Sequence, residues 1–356
     1  MKGIVAFLCI AGMLAAQTPP AQEPERSEKP IVETFNFVLV PVTVTDNHGS
    51  FVPGLTPYDF RLFDNGKAQK ITEDIASHPL SVVLAIQANA DVSAVMPAIK
   101  RLSSVFETMV IGEDGEIALL AFDHRVQTLT GFTSDPAQID QAFAKLGAGS
   151  YTAALNDATM QGIRMLEHRP AERRRILIQV SENRDKGSEL KNIREILTQA
   201  DFANVAMYSV NISQLISSMT TRTQPNRPSA IPPEAQINPT GPGAGVSTAT
   251  TVSQMDMGNW VPAIKDIFDL AKSVFVPNPL DVYTRYTGGR EFSFKSQKSL
   301  EHDVQAIGDE LHSQYLLTYR PNNQDEGGYH KITVDVMKPG LKVRTRDGYW
   351  LASKPE

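Results

Sequence analysis

The stretch Ser81-Val-Val-Leu-Ala-Ile86, continued by Gln87-Ala-Asn89-Ala-Asp91, is the strongest structural signal in this chain. A short, continuous apolar run is typical of a strand that is buried on both faces of a parallel sheet. The polar residues that follow it would lie just outside the carboxyl end of that strand. Open α/β folds bind their ligands at this position. The junction therefore predicts a fold class and the place of a functional loop.

Further apolar runs alternate with helical patterns on the carboxyl side of this junction. They predict strands at residues 82–86, 116–122, 175–180 and 205–210 and helices at residues 94–109, 136–146, 153–168 and 189–202. Such alternation is typical of a doubly wound α/β domain with a mostly parallel sheet. We place this domain at residues 81–213. Residues 214–258, rich in Pro, Gly, Ser and Thr, predict a flexible insertion, and residues 259–312 predict helices that complete the domain.

Alternating apolar and polar residues at the two ends of the chain predict a second, smaller domain. The stretch Asp59-Phe-Arg-Leu-Phe63 alternates cleanly, and Asp64-Asn65-Gly66 is a strong hairpin signal. Similar strands return after residue 313. Residues 35–77 and 313–350 are therefore expected to pair in one discontinuous, β-sandwich-like domain.

The amino terminus indicates an exported protein. Lys2, an apolar core and the small pair Ala15-Ala16 predict a signal peptide at residues 1–16, and residues 17–34 predict a disordered leader. The only cysteine, Cys9, lies inside this signal, so the mature chain would have no disulfide. We expect a periplasmic or secreted protein without a transmembrane segment in its mature form. The net charge of -6 gives no reason to expect nucleic-acid binding.

Several segments, in the same order, resemble the von Willebrand factor A domain family. GEIALLAFDHRVQTLTGFTSD resembles the family's second strand and the segment after it, TAALNDA its second metal loop, and RRRILIQVSENRDKGS its third strand and loop. The flanking sequences VPVTVTDNHGSFVPGLTPYDFRLFDNGKAQKI, SQYLLTYRP and HKITVDVMKPGLKVRTRDGYW resemble secreted members of the acidobacterial type. The resemblance implies a von Willebrand factor A-like fold, an adhesion or protein-binding role, and three loops that hold a metal ion, usually magnesium.

The residues at the family's metal positions differ from its pattern. The first loop of the family reads Asp-x-Ser-x-Ser, and here the matching positions are Gln87, Asn89 and Asp91. In the second loop Thr152 lies one residue before the expected threonine position, and in the third loop Ser181 replaces an aspartate. Carboxylates are the ligands that make magnesium or calcium binding favourable. We therefore expect a degenerate metal site, a polar loop held by side-chain hydrogen bonds that contacts a partner without a metal cofactor.

Two other interpretations stay open at the sequence level. A metal-dependent adhesion domain could bind Mg²⁺ or Ca²⁺ through an atypical set, Asp91 with Asp185 or Asp123. A periplasmic hydrolase could use Asp123 and His124, joined in space by a serine, although no nucleophile elbow or metal-binding histidine spacing is present. We expect no enzyme, no catalytic residues and a protein partner bound through loops at the carboxyl end of the sheet.

Overall fold

The structure, a computed structural model, describes residues 37–74, 79–107, 114–190, 192–220, 278–293 and 297–351. The strands are β1 Val38–Thr45, β2 Phe60–Asp64, β3 Lys67–Gln69, β4 Ile71–Asp74, β5 Leu80–Gln87, β6 Glu116–Phe122, β7 Val126–Thr133, β8 Arg174–Ser181, β9 Val205–Asn211, β10 Glu291–Ser293, β11 Tyr315–Tyr319, β12 Gly328–Val336, β13 Lys342–Thr345 and β14 Gly348–Leu351. The helices are α1 Met96–Lys100, α2 Ser103–Val105, α3 Pro136–Lys145, α4 Leu155–Glu167, α5 Ile193–Phe202, α6 Ser213–Thr220, α7 Pro279–Thr287 and α8 Gln297–Ser313.

A six-stranded sheet of order β10-β9-β8-β5-β6-β7 forms the centre of the α/β domain. All of its pairs are parallel except β6 with β7, which is antiparallel. Every residue of β5 is buried, as its continuous apolar run predicts. The order is that of a doubly wound fold. The chain runs from β5 through β6 to β7, and then returns to form β8 on the other side of β5. The predicted fold class is confirmed.

Helices cover both faces of this sheet. Alternate side chains of β5 point to opposite faces, so each face has its own buried core. Val82 and Leu84 pack in a core with residues of α1, α3 and α8. Val83 and Ala85 pack in a second core with residues of α4, α5 and α7. This two-sided burial explains why the strand shows no polar alternation.

Strands from the two ends of the chain form two antiparallel four-stranded sheets. Their orders are β13-β1-β11-β4 and β14-β12-β2-β3. Val38 lies opposite Tyr319 in the first sheet, and Phe60 lies opposite Val336 in the second. The inward side chains of the two sheets share one buried apolar cluster. The β-sandwich-like unit is thus discontinuous in sequence.

The β unit contacts the α/β domain at the edge of the sheet where the parallel strands begin. Asp201, at the end of α5, forms a buried ion pair with Arg346 and accepts a hydrogen bond from the backbone N–H of Trp350 at 3.0 Å. Arg344 pairs with the buried Glu310 of α8. These contacts join the β unit to the end of the sheet at which the parallel strands begin.

Several elements differ from the sequence expectations. The sequence predicts one helix at residues 94–109, but α1 and α2 are separate short helices. The antiparallel strand β7 and the short strand β10 are not among the predicted elements. Residues 213–220 form α6, although the flexible insertion is predicted to begin at residue 214, because Leu215 and Ile216 pack against the core. The predicted signal peptide, the leader and residues 221–277 lie outside the described residues.

Candidate functional site

The candidate site lies at the carboxyl edge, where β5 and β8 are neighbours. The strand order reverses between these two strands, at a position called the switch point. Ligands of open α/β sheets bind outside such a switch point. Gln87 ends β5 and Ser181 ends β8. Both side chains are fully buried although both are polar. Buried polar groups need hydrogen-bond partners, so the partners of these two residues define the site.

Gln87 is the centre of the hydrogen-bond network. Its Oε1 accepts from the Ser181 hydroxyl at 2.9 Å and from the backbone N–H of Glu182 at 2.8 Å. Its Nε2 donates to Asn89 Oδ1 at 2.9 Å and to Glu182 Oε2 at 3.0 Å. The carboxamide therefore uses both lone pairs and both N–H groups within the protein. A carboxylate at this position could not donate either of the last two bonds.

Asn89 and Asp91 continue the network towards the surface. Asn89 Nδ2 donates to Asp91 Oδ2 and to the backbone oxygen of Tyr151, each at 3.3 Å. The ammonium of Lys186 lies 3.1 Å from Asp91 Oδ2. The side chains of this ion pair are 40% and 38% exposed, Lys186 first. Asp91, the one acidic residue among Gln87, Asn89, Asp91, Thr152 and Ser181, is thus already paired with a cation of the chain itself.

Asp185 lies in the same loop as Lys186, and its carboxylate ties this loop to the start of α4. Its Oδ1 accepts from the backbone N–H of Leu155 at 3.1 Å, at the start of α4, and from the Ser188 hydroxyl at 2.6 Å. An acceptor at this position satisfies a helix N–H that has no partner inside the helix. Thr152 is exposed on the neighbouring loop, and a side chain at Gly187 would come within 3.1 Å of its Cβ.

Asp123 forms a separate cluster with His124 and Ser150. Its carboxylate accepts from the backbone N–H groups of Arg125 at 2.9 Å and of Ser150 at 3.0 Å. Burial alone would raise the pKa of Asp123, but these two bonds and the nearby His124 outweigh it and lower the pKa below its ordinary value. The carboxylate is therefore stabilised in its charged form by groups of its own loop and of the loop that contains Ser150.

The cluster contains the three residue types of a serine hydrolase but in another geometry. His124 Nδ1 lies 2.9 Å from Ser150 Oγ and 3.1 Å from Asp123 Oδ2. A catalytic histidine instead uses one ring nitrogen for the serine and the other for the acid, because the proton must move between opposite sides of the ring. Here the serine and the acid meet at a single nitrogen. This arrangement fixes the loop but does not prepare the hydroxyl for attack.

The residues at the family's metal positions do not fit a magnesium or calcium ion. Among the residues that the structure describes, no group of three or more His, Cys, Asp or Glu side chains could hold a metal. Gln87 has no free lone pair, Asp91 faces an ammonium, and Asp185 and Asp123 lie in different hydrogen-bond groups. A hard divalent cation needs several anionic oxygens around one point. Asp91, Asp185 and Asp123 do not provide this arrangement.

The structure thus brings together Gln87, Asn89, Asp91 and Ser181, while Thr152 lies at the rim. Sequence reasoning missed Glu182, Lys186 and Tyr151. Glu182 and Lys186 follow β8 directly, so their position after a parallel strand was the available signal. Tyr151 precedes Thr152 and is 81% exposed.

A groove of about 520 Å³ lies at the opposite, amino edge and has a different character. Phe37, Leu39 and Leu316 line it together with Arg174 and Arg175. Both guanidinium groups donate to backbone oxygens, Arg174 to Leu311 and Arg175 to Ala203. These bonds satisfy helix ends, whereas Arg175 Nε is buried and has no hydrogen-bond partner among the described residues.

The chain is similar to several solved structures at low sequence identity. The von Willebrand factor type A protein from Catenulispora acidiphila is 8% identical over 91% of this chain and 67% of that chain, with a TM-score of 0.44. An aerotolerance-related membrane protein from Bacteroides fragilis is 11% identical over 65% of this chain and 98% of that chain, with a TM-score of 0.37. The VWA domain of SpRpn10 is 16% identical over 37% of this chain and 75% of that chain, with a TM-score of 0.32.

No family model and no curated protein matches the chain. The similarities concern the fold alone, and the strand order and flanking helices are those of a doubly wound α/β domain. What the site binds must be argued from its own residues. No helix in the described part of the chain combines the length and the apolar character that crossing a membrane requires.

Proposed function

We propose that the chain is an exported, non-enzymatic protein-interaction module that binds a protein partner through the loops at the carboxyl edge of its sheet. Tyr151 carries this proposal. Its side chain is exposed, whereas its backbone is held in place, because Asn89 Nδ2 donates to its carbonyl and Ala90 N–H donates to the carbonyl of Ser150 at 2.7 Å. A rigid, exposed tyrosine is the kind of residue that dominates binding energy in protein interfaces.

The surrounding residues support binding without a metal and without catalysis. The polar side chains of the site satisfy one another, which makes the loops rigid and leaves their edge ready for contact with little loss of entropy. Lys186 neutralises Asp91 where a metal-dependent site would need a free carboxylate. The Asp123 cluster directs acid and serine to the same histidine nitrogen. The export part of the proposal rests on the signal-like sequence of residues 1–16 and on the resemblance to secreted acidobacterial proteins with a degenerate metal site.

A site-specific photocrosslinking experiment tests the proposal. A benzophenone amino acid replaces Tyr151 in one variant and Tyr58 in a matched control, since Tyr58 is also exposed, at 87%, but lies in the β unit. Both variants are expressed in the native host and irradiated in intact cells. We expect a discrete crosslinked protein species from position 151 and none of that size from position 58. Equal crosslinking from both positions, or none from position 151, would contradict the proposal.

The non-enzymatic part has its own test. A fluorophosphonate probe labels serines that are activated by a histidine, and we expect no labelling of this chain beyond that of the Ser150→Ala variant. Labelling that is lost in Ser150→Ala and in His124→Ala would overturn the non-enzymatic assignment while leaving the crosslinking result to be judged separately.

A further inference from the structure

Among the described residues of the loops at the carboxyl edge, three basic side chains are exposed, Arg125, Arg184 and Lys186, whereas Glu189 is exposed and the other carboxylates are half-buried or buried. Asp185 accepts a hydrogen bond from the backbone N–H of Leu155 at the start of α4, Asp123 accepts one from Arg125, and Glu182 accepts one from Gln87. Arg125 and Arg184, by contrast, are exposed beside the ends of β6 and β8. Basic groups that are more exposed than most of the carboxylates around them can pair with the acidic groups of a partner.

Lys186 lies on this surface, and hydrogen bonds and close packing hold its backbone in place. Its N–H donates to the carbonyl of Ala153 at 3.1 Å, and the residues on either side of it are fixed by the contacts of Asp185 and by the packing of Gly187 against Thr152. Within the described residues, the one hydrogen bond of its ammonium is to Asp91. An ammonium has three donors, so two of them remain for a ligand.

We propose, as a refinement that rests on the proposed function, that Lys186 binds a carboxylate side chain of an acidic protein segment directly, with Tyr151 packing beside it. Lys186 supplies the positive charge at the switch point, and Asp91 orients the ammonium while competing with the incoming carboxylate. The partner is thus an acidic segment of another protein, recognised by an ion pair that needs no metal.

Because Asp91 competes with the ligand for Lys186, removal of the Asp91 charge should strengthen binding and not weaken it. If Asp91 held a metal ion, Asp91→Asn would abolish binding. If Asp91 instead competes for Lys186, Asp91→Asn frees the ammonium and strengthens binding, by about two- to fivefold for a partly exposed pair. The amide keeps an oxygen that can accept the hydrogen bond from Asn89, so the loop is retained.

The probe is a random-peptide phage library selected on the purified full chain in EDTA at low salt. We expect the recovered peptides to be enriched in Asp and Glu relative to the unselected library. The most enriched peptide, made with a fluorophore, is then measured by anisotropy. Its binding should weaken about tenfold in Lys186→Met. It should be unchanged in Lys338→Met, a matched control that breaks the exposed Lys338–Asp59 pair of 3.2 Å in the β unit.

The other outcomes each decide the question. Recovery of no peptide, recovery of peptides without acidic enrichment, unchanged binding to Lys186→Met, or loss of binding in Asp91→Asn would overturn the inference. If Lys186→Met has no effect but Tyr151→Ala removes binding, the proposed function survives and the role of Lys186 does not. If neither variant alters binding, the peptide binds elsewhere and both proposals lose their support at this edge.

Discussion

The two edges of the parallel sheet both carry buried polar residues, but they use them differently. At the amino edge, Arg174, Arg346 and Asp201 fasten helices and the β unit to the sheet. At the carboxyl edge, Gln87 and Asn89 bond mainly to other loop residues, and Asp91 and Lys186 remain partly exposed. Polar burial at one edge therefore assembles the protein, while at the other edge it makes a rigid surface. Substitutions, acid and metal ions should affect the two edges to different degrees.

The ion pair at the amino edge should matter far more for stability than the ion pair at the carboxyl edge. Asp201→Ala leaves Arg346 buried without its partner, and such a change costs about 3–5 kcal/mol. Asp91→Ala removes an exposed pair and should cost about 0–1 kcal/mol. Urea unfolding of both variants measures the difference. Similar losses from the two substitutions would show that the two edges are not distinct in this respect.

Among the residues of the carboxyl edge, Gln87 should be the one whose substitution lowers the free energy of unfolding most. Gln87→Leu keeps a similar volume but removes the bonds that Gln87 makes to Ser181, Glu182 and Asn89, with an expected loss of about 1–3 kcal/mol in unfolding free energy. Thr152→Ala, on the exposed rim of the same site, is the control and should change it by about 0.5 kcal/mol or less. A stable Gln87→Leu protein would mean that the network does not hold these loops together.

Asp123 should make the carboxyl edge sensitive to acid. Its folded pKa is lowered, so it stabilises the protein at pH values above its unfolded pKa of about 3.9, and this contribution is lost as the pH falls towards the folded pKa. Urea midpoints measured between about pH 3 and pH 6 should therefore fall less steeply for Asp123→Asn than for the parent chain. An unchanged slope would argue that backbone N–H groups of Ser150 and Arg125 do not stabilise this carboxylate.

Divalent metal ions should have the smallest effect. We expect the same melting temperature in EDTA and in millimolar Mg²⁺, Ca²⁺ or Mn²⁺. A bound ion at a hundredfold excess over its dissociation constant would stabilise the fold by about 2.7 kcal/mol, which is readily measured. A rise in melting temperature that disappears in Asp91→Ala would restore the metal-dependent alternative at this edge.

The sequence predicted the parallel strands well because burial on both faces leaves a direct trace in composition. The run at residues 80–87 is apolar throughout apart from Ser81 and Gln87, and the strand is buried throughout. It predicted β7 and α6 poorly. The strand β7 is only partly buried and rich in Thr, and α6 contains few apolar residues, so neither gives a clear period.

The loops at the switch point could be located from the sequence, their contacts could not, and the assignment of a binding site to them stays a prediction. Gln87, Asn89, Asp91 and Ser181 could be found because they follow strand ends or match a known loop in order. Lys186 and Tyr151 could not be ranked above other loop residues, since the sequence does not show which side chain is exposed or which charges pair. The bonds from Asp185 to Leu155 and Ser188 likewise depend on how two loops meet in space.

The sequence by itself determined the doubly wound sheet, the position of the switch point and the kinds of side chain in the loops there, because these are properties of local pattern and residue type. Only the tertiary structure decided that every hydrogen-bonding group of the Gln87 carboxamide has a partner and that Lys186 pairs with Asp91. It also decided that Asp123 and Ser150 both contact one nitrogen of His124. The physical reason is that hydrogen bonds and ion pairs depend on distances of about 3 Å between residues far apart in the chain. Local pattern fixes the strands, and the packing of loops fixes the chemistry between them.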